Sequence, residues 1–148
     1  MSDLTILQSE IDALESRWYK LIFYAVKRTD NVEYLSKKFD IPYVNVNLVL
    51  SEKLKDLSKA KYPLYVEDIL SDYFQQVNSE WFWLGNIEIL FDKQLHINPV
   101  RLLENQSKRY KLIVSWPGVL EENKLIYAEP GHPEYFVCNE FEGRIVKS

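Results

Sequence analysis

Three polar residues in the first third of the chain have the chemistry to bind a phosphate group. Lys27, Arg28 and Thr29 follow a short apolar run, residues 20–26, and precede a helical pattern that begins at Val32. A loop between a strand and a helix suits phosphate, because the N-terminus of the helix attracts an anion. This loop contains no glycine, however, and it lacks the Gly-Lys-Ser/Thr ending that wraps phosphate and holds Mg²⁺. The alternative is a solvated connection without a ligand.

A second set of polar residues follows the strongly apolar residues 81–84. Gly85, Asn86 and Glu88 come directly after them. A strand buried on both faces delivers polar groups in this way to the carboxyl edge of a parallel sheet, where ligands of open α/β folds bind. In a P-loop NTPase the second such strand ends in an aspartate that holds Mg²⁺, and the position expected for it here is Gly85. Glu88 is either a surviving acidic catalytic residue or a residue that caps or salt-bridges a loop.

The remaining candidates lie in the second half of the chain. Ser115 lies at the end of another apolar run. Its hydroxyl either orients an attacking water or satisfies a backbone group at the strand end. Arg101 and Arg109 lie on a predicted helix, from which an arginine could reach a neighbouring subunit's site, with surface solvation as the alternative. The other candidates for contacts with a partner or a second subunit are Trp116, His132, Glu134 and Tyr135.

No metal site is predicted from the two histidines. His96 and His132 are far apart in the sequence and have no cysteine or acidic neighbours at the spacing of metal ligands. A hydrogen-bonded histidine in a turn is the simpler interpretation of His132. We therefore expect that no residues of this chain bind a metal ion.

The elements that must position these residues alternate between strands and helices. This alternation predicts an α/β fold with a mostly parallel sheet flanked by helices, in a single domain over residues 1–148. An amphipathic helix at residues 3–18 either packs on its own domain or is offered to a partner chain. Strands are predicted at residues 20–26, 43–50, 81–84 and 111–116, and helices at residues 32–39, 66–77 and 98–110.

Composition excludes several classes of protein. The 148 residues include 18 basic and 22 acidic side chains, a formal charge of −4, which argues against a dominant electrostatic footprint for nucleic acid. The single cysteine, Cys138, excludes an internal disulfide and a cysteine-based zinc cluster. No targeting segment or long apolar run is visible, so we expect a cytoplasmic protein without membrane contacts.

Five short strings are distinctive when they occur together. They are residues 41–48 (IPYVNVNL), 85–92 (GNIEILFD), 99–103 (PVRLL), 115–118 (SWPG) and 127–135 (YAEPGHPEY). Together they resemble the BrxF family, the small P-loop-containing component of bacteriophage exclusion (BREX) defence systems, over roughly residues 20–147. The resemblance implies an AAA-like or RecA-like P-loop core.

The chain departs from this family where nucleotide chemistry would take place. Family members that look competent have a glycine-rich Walker A loop where this chain has residues 27–31, and an aspartate where it has Gly85. Phosphoryl transfer rests on the positioning and charge that those groups supply. The resemblance therefore implies a degenerate P-loop protein that is not expected to hydrolyse nucleotide.

The predicted function is that of a non-catalytic or weakly nucleotide-binding subunit of an antiphage defence complex. It would act through contacts with other defence proteins or with itself, and it would reach DNA only indirectly. The only cofactor to consider is ATP with Mg²⁺. One alternative is an NTPase that binds ATP through Lys27, Arg28 and Thr29. Another is a DNA-binding accessory protein that uses Lys108, Arg109 and Lys111.

Overall fold

A parallel sheet forms the centre of the computed structural model, which describes residues 3–26 and 31–147 and the side chains from Thr5 onwards. The described strands are β1 (Leu21–Ala25), β2 (Tyr43–Asn45), β3 (Trp81–Gly85), β4 (Lys111–Trp116), β5 (Val119–Glu121), β6 (Lys124–Tyr127), β7 (Phe136–Cys138) and β8 (Arg144–Lys147). Five of them form the central sheet in the order β2-β3-β4-β1-β8, and every pair is parallel. The other three form a small antiparallel sheet in the order β5-β6-β7. The predicted α/β fold with a mostly parallel sheet is confirmed.

Helices cover both faces of the central sheet. The described α-helices are α1 (Asp3–Ala13), α2 (Val32–Lys38), α3 (Val46–Leu54), α4 (Tyr62–Val77) and α5 (Pro99–Gln106). One apolar cluster joins α1 and α2 to one face of the sheet. A larger cluster joins α3, α4, α5 and the small sheet to the other face. Short 3-10 turns at Leu14–Ser16, Lys59–Lys61, Ile87–Phe91 and Lys93–Leu95 connect these elements.

Strand β1 shows how the sequence builds the two clusters. Leu21 and Phe23 belong to the larger cluster, whereas Ile22 and Tyr24 belong to the smaller one, and all four are almost fully buried. Successive side chains of a strand point to opposite faces, so an uninterrupted apolar run suits a strand covered on both sides. Each fully buried side chain of this size contributes about 1.5–3 kcal/mol through the hydrophobic effect.

The prediction of a strand over residues 43–50 is wrong. The strand ends at Asn45, and α3 begins at Val46. The side chain of Asn45 accepts a hydrogen bond from the Leu48 backbone N–H at 3.1 Å, as an N-terminal helix cap does. Leu48 is 58% exposed, because the buried side chains follow the helical spacing of four residues instead of alternating.

The N-terminal helix packs on its own chain. Leu7, Ile11 and Leu14 are buried against the sheet, and the α-helix gives way to a 3-10 turn at Leu14. Trp18, which was expected to extend the apolar stripe, is 73% exposed. Among the described residues, no helix combines the length and the apolar character that a membrane span requires.

Candidate functional site at the carboxyl edge of the sheet

Three neighbouring strands bring polar residues to the carboxyl edge of the central sheet. Asn45 ends β2, Gly85 ends β3, and Ser115 is the penultimate residue of β4. Asn86 follows Gly85 in the left-handed conformation (φ 52°), and its carbonyl oxygen accepts a hydrogen bond from the Asn47 N–H at 3.1 Å. Ligands bind at this edge in open α/β sheets. The edge is therefore the candidate site.

Tyr43 closes this edge beside Gly85. Its phenolic hydroxyl donates a hydrogen bond of 2.8 Å to Oδ1 of Asn86. The ring lies over Gly85, so that a Cβ atom built at position 85 would lie against the hydroxyl and only 2.7 Å from Cζ and 2.8 Å from Cε1. Carbon atoms in contact are normally 3.5–4.0 Å apart. Gly85 thus lacks a side chain in a place where Tyr43 leaves no room for one.

Two tyrosines near this edge have carboxylates in their surroundings. Partial burial, and then the carboxylates of Glu33 and Glu88, raise the pKa of Tyr43 above its ordinary value. Burial, followed by Glu134 and Glu88, raises the pKa of Tyr127. Burial is the larger cause in both cases, because it disfavours the charged phenolate, and the nearby carboxylates add to the effect. Glu88 is exposed, and its carboxylate contributes to the raised pKa of both tyrosines.

The described residues of the edge do not fit Mg²⁺-ATP. A Mg²⁺ site of the P-loop type needs a carboxylate at the end of the strand, where this chain has Gly85 beneath the Tyr43 ring. The carboxylates of Glu33 and Glu88 both disfavour the charged form of Tyr43 and so add negative charge near its ring. Lys27, Arg28 and Thr29, which were expected to bind phosphate, lie outside the described residues.

The helix that follows these three residues begins as expected. The side chain of Asn31 caps α2 by accepting a hydrogen bond of 3.0 Å from the Tyr34 N–H. The cap satisfies one of the N–H groups that a helix N-terminus leaves free. The predicted strand therefore precedes residues 27–30, and the predicted helix follows them.

Ser115 forms a hydrogen bond with a buried side chain. Its hydroxyl oxygen accepts a hydrogen bond of 2.8 Å from the indole N–H of Trp83, which has no exposed surface. Trp83 in turn packs edge-to-face against Tyr24, with ring centroids 5.7 Å apart. Ser115 thus satisfies a polar group at the strand end, as one of the two interpretations held, although that group is an indole instead of the backbone.

Arg101 is held by its own chain. Its guanidinium forms an ion pair of 2.8 Å with Glu104 and donates a second hydrogen bond of 2.7 Å to the Glu140 carbonyl oxygen. Glu104, which is only 7% exposed, also accepts a hydrogen bond of 2.6 Å from the Glu142 N–H. Arg101 and Glu104 together fasten the segment that leads into β8.

Arg109 lies in the turn before β4, at the amino edge of the sheet. Its guanidinium donates a hydrogen bond of 3.0 Å to the Ser71 hydroxyl. Parallel strands place their amino ends at the edge opposite the candidate site, so Arg109 does not join it. The neighbouring Lys111 is buried, paired with Glu15 and lies 4.7 Å from the centre of the Trp81 ring. Lys111 is therefore not available to DNA.

Trp116 belongs to the core and not to a contact surface. It is 3% exposed, and its indole N–H donates a hydrogen bond of 2.9 Å to the Ile126 carbonyl oxygen. Its ring packs edge-to-face against Phe23 and Phe91. The expectation that Trp116 contacts a partner is corrected here, because this indole joins the small sheet to the central one.

The turn after β6 carries His132, Glu134 and Tyr135. Nδ1 of His132 accepts a hydrogen bond of 2.9 Å from the Glu134 N–H, so the histidine stabilises its own turn, as its simpler interpretation predicted. Tyr135 is 37% exposed. With Glu134 it lines a groove of about 140 Å³ beside Phe91 and His96. These residues remain accessible to a partner.

Tyr43 is the residue of this edge that sequence reasoning did not single out. It begins a strand, and its contact with Gly85 depends on the register that pairs Asn45 with Gly85. The available signal was the combination of a tyrosine two residues before the end of one strand and a glycine at the end of another. Only the order of the strands makes that combination meaningful.

Comparisons with known proteins add no relative. No protein-family model matches this sequence, and no curated protein and no solved structure matches it significantly.

Proposed function

We propose that this protein is a P-loop NTPase-like core without catalysis that serves as a protein-binding subunit of a BREX-type antiphage defence complex. The family resemblance of the five strings supports the defence role. The architecture supports the P-loop ancestry. The carboxyl edge supports the loss of chemistry.

The strand order agrees with this ancestry. RecA-like and AAA-like cores arrange their parallel strands in the order 5-1-4-3-2, with the strand before the phosphate loop between the fourth and the fifth. With the small sheet left out of the count, the order β2-β3-β4-β1-β8 is the same order read from the other end. In the sequence, residues 27–30 follow β1, which supports their comparison with a phosphate loop.

One observation carries the proposed loss of catalysis. The Tyr43 hydroxyl, held by Asn86, fills the space that a side chain at position 85 would need. A change from aspartate to glycine alone would leave a gap that water and Mg²⁺ could enter. Here the Tyr43 ring fills the gap and leaves no room for a side chain at position 85. Such an edge supports a protein that retains the fold and acts through surface contacts with other proteins.

Calorimetric titration of the full chain with Mg²⁺-ATP tests the loss of nucleotide chemistry. We expect no heat of binding up to millimolar ATP. Binding in the micromolar range that disappears in a Lys27→Ala/Arg28→Ala variant would overturn the proposal in favour of an NTPase with an altered phosphate loop.

A phage plating assay in the cells that carry the protein tests the defence role. Deleting the gene that encodes the protein should abolish restriction of phage growth. A Lys27→Ala/Arg28→Ala/Thr29→Ala variant should retain restriction, because those residues are not required to bind phosphate. Full restriction without the chain, or its loss in the triple variant at unchanged protein level, would contradict the proposal.

A further inference from the structure

The small antiparallel sheet has an apolar stripe on its outer face. Val119, Ile126 and Val137 lie side by side, because Val119 pairs with Ile126 and Ile126 pairs with Val137. Val119 is 52% exposed and Val137 is 43% exposed. An antiparallel sheet covered on one side normally carries polar residues on the other. The three β-branched apolar residues in register therefore depart from this pattern.

The stripe does not hold the small sheet in place. The inner row of side chains, Leu120, Leu125 and Cys138, is in register in the same way and packs on the core. Trp116 anchors the middle strand through the Ile126 carbonyl group. Because the inner face supplies the packing, the outer apolar residues are free to contact another molecule.

The charge of the surrounding segment is strongly negative. Residues 117–142 contain six carboxylates and one lysine, a formal charge of −5, whereas the whole chain carries −4 and the remainder therefore +1. Glu121 faces Lys124 across the first two strands of the small sheet. Within the described part of the chain, no ion pair involves any of the six carboxylates, which are Glu121, Glu122, Glu129, Glu134, Glu140 and Glu142.

We infer that the outer face of the small sheet, defined by Val119, Ile126 and Val137, docks a basic segment of a partner protein that carries apolar residues of its own. The charge complementarity selects this occupant. A nucleic acid would be repelled by the carboxylates of residues 117–142, and a second copy of the chain would bring the same segment with its formal charge of −5. The inference deepens the proposed function, on which it rests, by naming the surface and the chemistry of the partner.

Selection from a displayed library of random 12-residue peptides tests this inference with the full chain as bait. Selection is repeated with a Val119→Ser/Val137→Ser variant. We expect the wild-type protein to enrich peptides with a net positive charge and apolar residues. One enriched peptide is then synthesised and titrated. Its dissociation constant should rise about tenfold or more in the variant, and should also rise with salt.

Two controls separate binding from folding. Val77→Ser changes a valine on α4 that is 40% exposed, remote in sequence from the small sheet, and should leave peptide affinity unchanged. The urea midpoint of the Val119→Ser/Val137→Ser variant should stay close to that of the wild type, since both residues are about half exposed and lie outside the core.

Three outcomes would overturn the inference. They are enrichment of neutral or acidic peptides, equal peptide affinity in the wild type and the variant, and a wild-type dimer in sedimentation that the two serine substitutions dissociate. The ATP titration and the plating assay are independent of this selection. A protein that restricts phage but selects no basic peptide would refute this docking surface and leave the proposed function standing.

Discussion

Replacing Gly85 with alanine tests the packing that closes the carboxyl edge. The new Cβ would lie 2.7 Å from Cζ and 2.8 Å from Cε1 of Tyr43, so the ring must move and its hydrogen bond to Asn86 must weaken. Overpacking costs about 1–3 kcal/mol and the lost hydrogen bond about 0.5–1.5 kcal/mol. Removing glycine from the unfolded chain returns about 0.4–1 kcal/mol. We expect a net loss of unfolding free energy of about 0.5–4 kcal/mol.

A double-mutant cycle assigns this loss to the Tyr43 ring. In a Tyr43→Ala background the ring and the hydrogen bond are absent, so Gly85→Ala should be neutral or should stabilise by about 0.5 kcal/mol. Urea denaturation followed by circular dichroism measures all four proteins. Gly131→Ala serves as the control substitution, because no atom lies within 4 Å of its new Cβ, so the Tyr43 ring does not contact it. It should cost the same in both backgrounds.

The cycle can refute the reasoning directly. Equal costs of Gly85→Ala with and without the Tyr43 ring would mean that the ring does not occupy the space beside the strand end. The carboxyl edge would then be open enough for a ligand. The proposed loss of nucleotide chemistry would lose the observation that carries it.

Three further predictions concern single contacts. Ser115→Ala leaves the buried Trp83 indole N–H without its acceptor, so urea denaturation should show a loss of about 1–3 kcal/mol in the free energy of unfolding. Ser115→Thr should retain most of that stability. Equal losses in the two variants would contradict this role of the hydroxyl. Glu104→Ala removes the acceptor of the Glu142 N–H, so hydrogen exchange of that amide should become faster; unchanged exchange would show that the contact is not needed. The raised pKa of Tyr43 means that the native state holds the phenolic proton more tightly than the unfolded chain. This stabilisation is complete below the unfolded pKa of about 10 and is lost as the pH rises through the folded pKa. The urea midpoint of Tyr43→Phe should therefore fall less than that of the wild type above that pH, and parallel curves would contradict the assignment.

The sequence predicted the fold class because its apolar runs are long enough to be unambiguous. The strand at Lys111–Trp116 has the predicted bounds. Asn98, where the predicted helix begins, caps α5 through hydrogen bonds from the Val100 and Arg101 N–H groups. Residues 43–50 were misread because an alternating pattern and a four-residue pattern coincide over so short a run. The cap at Asn45 decides between them, and its effect is visible only once the helix is formed.

The candidate site was predictable in position but not in content. The carboxyl ends of the strands follow from the alternation of strands and helices, so Gly85, Glu88 and Ser115 were correctly placed near one edge. The contact of Tyr43 with Gly85 depends on which strands are neighbours, and the burial of Trp116 depends on a second sheet that packs over it. Neither fact is contained in local spacing.

The order of the strands also bears on how the chain folds. β1 is among the first elements to be synthesised, yet its two partners are β4 and β8, through pairs such as Leu21 with Leu112 and Ile22 with Arg144. Such distant pairings slow folding, because loop closure costs entropy before any contact is gained. Until β4 has been synthesised, the apolar β1 has no strand to pair with. Pairing with β8 then covers the other edge of β1, which would otherwise stay open to pairing with another molecule.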